Sequence, residues 1–477
     1  MNRSIFRAYD IRGVADRDLD DAFVRDLGRA LGTQVLRRGG TSRSLALGRD
    51  CRTHSPRLHR ALLSGLLSTG ITVLDVGVVA SPVLYFAVHH LGCGSGVEIT
   101  GSHNPASDNG FKILLGGGSL HGAALLALHD QIAAGDFEQA PGQGPGQHRL
   151  IDITSAYQDF VRQRLALGPR RFRIVIDGGN GTGGAIAVAL FSALGFDVTP
   201  LYCEMDGHFP HHPPDPTVPE HLTALQAQVA AHGAELGLAF DGDADRLVVV
   251  DSRGRVLWGD DLLILLGRAI LREEPGARFV CEVKCSRAVH DELTAAGGHV
   301  IMWRVGHSQL RDKMQEVGAA LAGEMSGHLF FAHRYLGYDD AIYAAARLLE
   351  LLSHDPRPQA LAALVDALPR LHRTPEIRIP VDDSIKQALV RRIAKGLRAL
   401  PGIEVNELDG IRVHWPDAWA LVRASNTQAA LVLRFEAQTA ERLAHVRACI
   451  ESIIAHCQAA SAADLVCSDE PPPTTQG

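Results

Sequence analysis

Apolar and polar positions along the chain follow two rhythms. Short apolar runs are followed by longer stretches in which apolar residues recur every third or fourth position. Residues 44–48 and 73–79 read as strands, and residues 56–69 between them carry helical spacing. That β-α-β order predicts a mostly parallel sheet with covering helices. The rhythm restarts with a strand at 172–176, a Gly-rich loop and a helix at 185–194. It restarts again near Arg255, where strands at 279–283 and 299–303 bracket a helix at 286–295, and a helix at 340–352 closes the unit. Beyond Pro358 the pattern changes. Strands at 376–381, 410–415, 419–423 and 429–435 follow with few crossovers, which predicts an antiparallel α+β domain. The fold class is therefore α/β, with three similar units and a different fourth. The domains are expected at 1–149, 150–252, 253–366 and 367–462, with 139–148 as a linker and 463–477 as a disordered tail.

Composition narrows the function classes. Lys and Arg number 47 against 54 Asp and Glu, a net charge of −7, so the basic excess of a nucleic-acid binder is missing. The most apolar stretch, 262–271, is too short for a membrane span and is broken by Arg268. The first residues lack the apolar core of a signal peptide. Eight scattered cysteines fit a reduced, cytoplasmic protein. Cys281 and Cys285 flank Lys284 without a second Cys/His pair, which argues against zinc. No membrane or nucleic-acid partner is expected, and the chain is expected to be a monomer. The 48 glycines, with only 23 prolines and no fixed period, belong at turns and close backbone approaches.

Five short segments carry candidate chemistry. Thr100-Gly-Ser-His-Asn-Pro105 follows a strand-like run, so a turn would expose the Ser102 hydroxyl as a nucleophile. His103 and Lys112 offer positive charge or proton transfer; an ordinary Ser/Asn/Pro turn is the bland alternative. Asp241-Gly-Asp-Ala-Asp-Arg246 lies between two apolar runs. If the backbone is extended, Asp241, Asp243 and Asp245 point the same way, and such carboxylates repel unless a cation sits among them. All-oxygen ligands suit Mg²⁺; the positions of Arg246 and Ser252 exclude an EF-hand. Residues 179–184 match G-x-G-x-x-G, but Asp177 would face a bound pyrophosphate, so a tight strand-to-helix turn is favoured. Gly323-Glu-Met-Ser-Gly-His328 places a carboxylate, a hydroxyl and an imidazole where they can read sugar hydroxyls. Arg423-Ala-Ser-Asn-Thr427 offers an Arg fork, two hydroxyls and an amide as a phosphate clamp, or else forms a surface turn. Together they point to phosphoryl transfer on a sugar phosphate.

With these motifs in order, and with Phe6-Arg-Ala-Tyr-Asp-Ile-Arg-Gly13 at the start, the chain resembles the α-D-phosphohexomutases, most of all the bacterial phosphomannomutase/phosphoglucomutase branch. The resemblance implies three α/β domains with mixed sheets plus a C-terminal TBP-like α+β domain, arranged around one central cleft. It implies Ser102 as the phosphoserine, with Mg²⁺ held by Ser102, Asp241, Asp243 and Asp245 and with Arg246 beside them. Glu324, Ser326 and His328 would read sugar hydroxyls. Arg423, Ser425, Asn426 and Thr427 would bind the phosphate that is not transferred. Tyr9, Arg12, Lys284 and His307 would contact the ligand. The general acid and base stay open among Lys112, His103 and His307. The implied reaction interconverts hexose 1-phosphate and hexose 6-phosphate, of mannose and glucose, through a 1,6-bisphosphosugar. Phosphoglucosamine mutase, a non-catalytic sugar-phosphate sensor and a sugar phosphatase are the alternatives. Two departures stand out: Ala244 where the metal loop commonly has Gly, and Gln428-Ala429 where a Pro commonly follows the clamp.

Overall fold

The structure is a computed structural model and describes residues 2–38, 43–140, 144–426 and 428–459. Its strands form four sheets. The first contains β1 (Ile11–Val14), β2 (Ser44–Arg49), β3 (Thr72–Val78), β4 (Ser95–Ile99), β5 (Asp108–Leu115), β6 (Gly118–Ser119) and β7 (His148–Leu150). Its order is β1-β5-β4-β2-β3-β7, with β6 on β5. β2 runs parallel to β3 and β4, whereas β5 is antiparallel to β4 and β1. Leu45, Leu47, Val73, Val97 and Ile99 are buried on one face and Ala46 and Glu98 on the other, as strands covered on both sides require. Helix Asp21–Arg37 lies against helix Ser55–Ser68 at Gly28 and Gly65. A Cβ on Gly65 would come 2.0 Å from the Arg25 carbonyl, so the close helix contact depends on that glycine.

The second sheet contains β8 (Arg173–Asp177), β9 (Asp197–Leu201), β10 (Leu236–Phe240), β11 (Leu247–Asp251) and β12 (Val256–Leu257), in the order β12-β11-β10-β8-β9. The third contains β13 (Arg278–Glu282), β14 (His299–Trp303), β15 (Leu321–Gly323), β16 (Leu329–Phe331) and β17 (Tyr338–Asp339), in the order β14-β13-β15-β16-β17. Both sheets mix parallel pairs (β8 with β9 and β10; β13 with β15) and antiparallel ones. The fourth sheet is antiparallel: β18 (His372–Arg373), β19 (Ile377–Pro380), β20 (Glu404–Asn406), β21 (Ile411–Trp415), β22 (Ala418–Ala424) and β23 (Ala430–Ala437). Helices Lys386–Leu397 and Ala440–Ala459 supply its core through Leu389, Ile393, Leu397, Val446, Ile450 and Ile454.

By contacts the chain divides into two compact units. One comprises Met1–Cys281, Arg287–Ile301 and Gly306–Ala367, and the other Glu282–Ser286, Met302–Val305 and Leu368–Gly477. The Lys284 loop, read from sequence as part of the third α/β repeat, thus belongs to the C-terminal unit. Its carbonyls explain why: Arg412 donates to those of Val283 and Cys285, and Arg434 to that of Lys284, while Val283 packs on Trp419 and Leu421. The expected linker is also tied down where it is described. Ala140 N–H donates to the Thr69 carbonyl, Gly146 N–H to that of Leu67, and Val73 N–H to that of Gln147. Residues 141–143 and the tail expected at 463–477 lie outside the described residues.

Candidate active site

In the first unit Ser102, the three aspartates and the Glu324–His328 loop follow the carboxyl ends of β4, β10 and β15, strands with parallel partners, where an α/β sheet offers its crevices. After β4 the chain turns sharply, with Ser102 in the left-handed region at φ +49°. The turn is held from several directions. The Arg52 guanidinium donates to the carbonyls of Ser102 (2.8 Å), Asn104 (2.7 Å), Pro105 (2.5 Å) and Asp108 (3.0 Å). Asp50 accepts from Gly101 N–H and from the Ser55 hydroxyl. Arg12 donates to the Gly101 carbonyl and to Asn104 Oδ1. A strained serine so firmly fixed has its hydroxyl aimed by the fold. That hydroxyl donates to Asp241 Oδ2 at 2.8 Å and lies 3.2 Å from His103 Nδ1.

Asp241 opens the loop between β10 and β11. The three aspartates converge, but not through an extended strand: the loop is a turn, with Ala244 at φ +57°. Asp241 Oδ1 accepts the N–H groups of Asp245 and Arg246, which closes the turn. Gly181 of the G-x-G-x-x-G segment lies beneath it, and a Cβ there would come 2.5 Å from the Gly242 carbonyl. That segment is a tight turn opening helix Gly183–Ala193, and it buttresses the aspartate loop.

All three aspartates are buried, and their ligating oxygens lie within 4.8 Å of one another. Lys112 on β5 donates to Asp243 Oδ2 at 2.5 Å and also to Asp245; the Ser81 hydroxyl donates to Asp243 at 2.6 Å. Asp243 Oδ1 is buried without a hydrogen-bond partner among the described residues. Burial, and then Asp245 and Asp243, push the Asp241 carboxyl well above the usual carboxylate range. Burial also opposes ionisation of Asp245, but the Lys112 ammonium and His328 hold it well below that range. An all-oxygen cluster with an unpartnered oxygen and a carboxyl forced upward fits a hard divalent cation such as Mg²⁺.

The third loop follows β15. His328 Nδ1 lies 2.7 Å from Glu324 Oε2 and its Nε2 lies 3.1 Å from Asp245 Oδ1, while Arg246 Nε reaches Nε2 at 3.2 Å. Burial lowers the proton affinity of His328, but Asp245 and Glu324 overcome it and raise the pKa to about 10. The Ser326 hydroxyl donates to Glu324 at 3.2 Å, and Glu324 Oε1 accepts Gly306 N–H at 2.7 Å. His307 packs edge-on to Tyr9 and to His328, and burial, then His328 and Lys112, bring its pKa down to about 4. Burial, then Arg246 and Arg12, push His103 well below the usual imidazole range. Ser102, His103, Arg12, Lys112, the three aspartates, Arg246, Tyr9, His307, Glu324, Ser326 and His328 all lie in this unit.

In the C-terminal unit, Lys284 Nζ donates to Glu376 Oε2 at 3.0 Å. Arg423 is 3% exposed, and its Nη2 lies 3.2 Å from Asp409 Oδ2. Neither its Nε nor its Nη2 makes a hydrogen bond among the described residues, which leaves donor capacity for an anion. Ser425 and Asn426 follow on the same loop, whose Ser425 and Gln428 carbonyls accept from Lys386 Nζ. Thr427 lies outside the described residues.

Sequence reasoning missed Asp50, Arg52, Ser81 and Asp339. Asp339 is buried with Oδ2 unpartnered among the described residues, and burial, then Asp245, push its pKa up to about 6. A signal existed for the first three: each stands just past the end of β2 or β3, where site residues of such sheets gather.

Comparison with known proteins agrees across the chain. The family descriptions "Phosphoglucomutase/phosphomannomutase, alpha/beta/alpha domain I", II and III match residues 3–139, 155–254 and 258–371, and that of the C-terminal domain matches 376–452. A phosphomannomutase/phosphoglucomutase of Pseudomonas aeruginosa is 45% identical over 444 residues, 93% of this chain and 94% of that protein. A phosphoglucomutase of Neisseria gonorrhoeae is 42% identical over 455 residues, 95% of this chain and 97% of that protein. A crystal structure of a phosphoglucomutase/phosphomannomutase family protein from Burkholderia thailandensis superposes with a TM-score of 0.89 at 38% identity, covering 97% of this chain and 99% of that one. The chain, with its strained serine beside a three-aspartate loop, belongs to the phosphoglucomutase/phosphomannomutase family of α-D-phosphohexomutases.

Proposed function

We propose that the protein is a Mg²⁺-dependent isomerase that interconverts hexose 1-phosphates and hexose 6-phosphates of glucose and mannose, with Ser102 as the phosphoryl carrier and a 1,6-bisphosphosugar as intermediate. The observation that carries this reading is the Ser102 hydroxyl, held at φ +49° and 2.8 Å from the first of three clustered aspartates. Phosphoryl transfer is mostly positioning and charge neutralisation, and both are built into this arrangement.

Asp241, Asp243 and Asp245 would hold the Mg²⁺ together with the Ser102 phosphoryl group. The bound cation neutralises charge on the transferring group. The Ser102 turn, clamped by Arg52 and Arg12, keeps Oγ at one place through both half-reactions. His103 Nδ1 lies 3.2 Å from Oγ and its ring is neutral beside the free hydroxyl, so it is placed to take the serine proton on rephosphorylation; the negative phosphoserine then favours that proton staying on the ring until the phosphoryl group leaves and serine takes it back. Lys112 is held well above its usual range: burial opposes its charge, but Asp243 and Asp245 prevail, so it stays an ammonium and cannot serve as a base in that setting. His307, brought down to about 4, is neutral at neutral pH and free to accept the proton of the attacking sugar hydroxyl. Glu324, Ser326 and His328 accept and donate to the sugar hydroxyls, with Tyr9 and Lys284 as further contacts. Arg423, Ser425, Asn426 and Thr427 grip the phosphate that is not being transferred. The seven described cysteines are free thiols, which accords with a reducing, cytoplasmic setting.

The test has two parts. Intact-mass measurement after incubation with glucose 1,6-bisphosphate is expected to show one added phosphoryl group, absent from Ser102→Ala; its absence from the wild type overturns the reading. Turnover of mannose 1-phosphate, glucose 1-phosphate and glucosamine 1-phosphate then sets the sugar; preference for the amino sugar would make the enzyme a phosphoglucosamine mutase.

A further inference from the structure

Asp409 has no part in the mechanism above, yet it stands against the arginine proposed to grip phosphate. It lies on the loop between β20 and β21, in the C-terminal unit together with Arg423. The loop is fixed in three ways. Leu408 packs on Val283, Trp419 and Leu421, and its N–H donates to Asn406 Oδ1 at 2.9 Å. Gly410 takes the left-handed region at φ +77°, and a Cβ there would come 2.5 Å from Arg423 Cβ, so the loop lies flush against β22 at that arginine. Asp409 Oδ2 accepts the Val305 N–H at 3.0 Å, which places the carboxylate independently of Arg423.

Arg423 needs such a partner. Its side chain is 4% exposed and that of Asp409 15%, so the guanidinium rests against the carboxylate largely out of water, where an unopposed charge would be costly. Nη2 and Oδ2 lie 3.2 Å apart, yet neither Nη2 nor Nε donates a hydrogen bond among the described residues. The carboxylate therefore holds the cation by charge and leaves those donors for a ligand.

We propose that Asp409 is a positioning residue for phosphate binding: fixed by the Val305 N–H and the Gly410 turn, its carboxylate aims the Arg423 fork at the phosphate that is not transferred. The inference rests on Arg423 being a phosphate ligand in the proposed function. Two simpler roles predict other outcomes. A carboxylate that merely neutralises the arginine competes with phosphate, so removing its charge would tighten binding. One that merely accepts the Val305 N–H could be replaced by an amide oxygen with no effect on binding. Aiming alone predicts that loss of the charge weakens binding, because a site is only as exact as the groups that support it.

The experiment measures KM and kcat for glucose 1-phosphate, at saturating glucose 1,6-bisphosphate, in the full chain. It compares the wild type, Asp409→Asn, Asp409→Glu, Arg423→Ala and the Asp409→Asn/Arg423→Ala double variant. Asp409→Ser, smaller and also uncharged, is a second test of the same loss. KM does not depend on the fraction of enzyme that is folded, so a loss of stability does not mimic the effect. Asp409→Asn and Asp409→Ser are each expected to raise KM at least about fivefold and to lower kcat by less. Asp409→Glu, which restores the charge on a longer stem, is expected to recover part of that loss. In the Arg423→Ala background, Asp409→Asn is expected to change KM by less than about twofold. A lower or unchanged KM in both uncharged variants overturns the proposal, and so does an equal rise with and without Arg423. An unchanged KM in Arg423→Ala overturns the phosphate-grip reading, and absence of turnover by the wild type overturns the proposed function; the inference falls with either.

Discussion

At the scale of single residues, the site depends on two backbone positions that ordinary side chains avoid. Ser102 and Ala244 both hold the left-handed conformation, which costs an L-residue about 1–2 kcal/mol. Ser102 cannot be exchanged without losing its hydroxyl, so the fold restrains it instead, chiefly through Arg52. Replacing Arg52 by Met would strand four carbonyls. The expected result is a stability loss of about 3 kcal/mol or more and a kcat far below wild type, with Arg52→Lys restoring part of both; chemical denaturation and steady-state kinetics check this. Ala244 is different, since nothing requires its methyl group. Ala244→Gly should raise stability by no more than about 0.5 kcal/mol, the left-handed strain relieved less the entropy of glycine and the burial of the lost methyl. Gly183→Ala should do the reverse, because its Cβ would fall 2.4 Å from that of Ala244. Melting temperatures of the two variants settle both signs. Arg52 was invisible in the sequence because an arginine after a strand looks like any surface arginine. Only its four carbonyl acceptors, drawn from a loop some fifty positions away, reveal its task.

At the scale of elements, the strand-helix rhythm was readable because helices covering both faces force apolar strands and amphipathic helices. The aspartate loop was legible by composition but not by shape. Alternating carboxylates suggested an extended strand, whereas convergence comes from a turn whose N–H groups fold back on Asp241. The placement of Lys284 was also hidden, because the arginines that capture its loop lie well over a hundred residues later. That loop carries a pH-dependent tie. Glu376 sits near a pKa of about 2: burial opposes its charge, but Lys284 and Arg378 prevail. A depressed carboxylate contributes stability that is complete above its unfolded pKa, about 4.3, and is lost as pH falls toward 2. Glu376→Gln should therefore be destabilised at pH 7, and its melting temperature should converge on that of the wild type between pH 4 and about 2. A constant gap across that window would contradict the tie.

At the scale of the whole molecule, each of the four sheets carries one candidate component: the serine proposed as carrier, an aspartate triad, the loop proposed to read sugar hydroxyls and an arginine-bearing loop. Their order was legible because each motif is short and local. Their relation to one chemistry was legible only through combination, since each segment alone fits an ordinary turn. The glycine excess has a concrete meaning at this scale. Gly181 and Gly306 permit close approaches within the first unit, where a Cβ would meet the Gly242 carbonyl or the Tyr9 ring. In the proposed mechanism Arg423 grips the phosphate that is not transferred, so Arg423→Ala should raise KM for hexose 1-phosphate at least about tenfold and lower kcat less; an unchanged KM would remove it from that role. Ser102 is proposed to carry the phosphoryl group through every turnover. A rapid-quench experiment with enzyme labelled on Ser102 and unlabelled hexose 1-phosphate tests it directly. Label is expected to leave Ser102 for the sugar at least as fast as kcat; label that stays on the protein while product accumulates would remove Ser102 from that role.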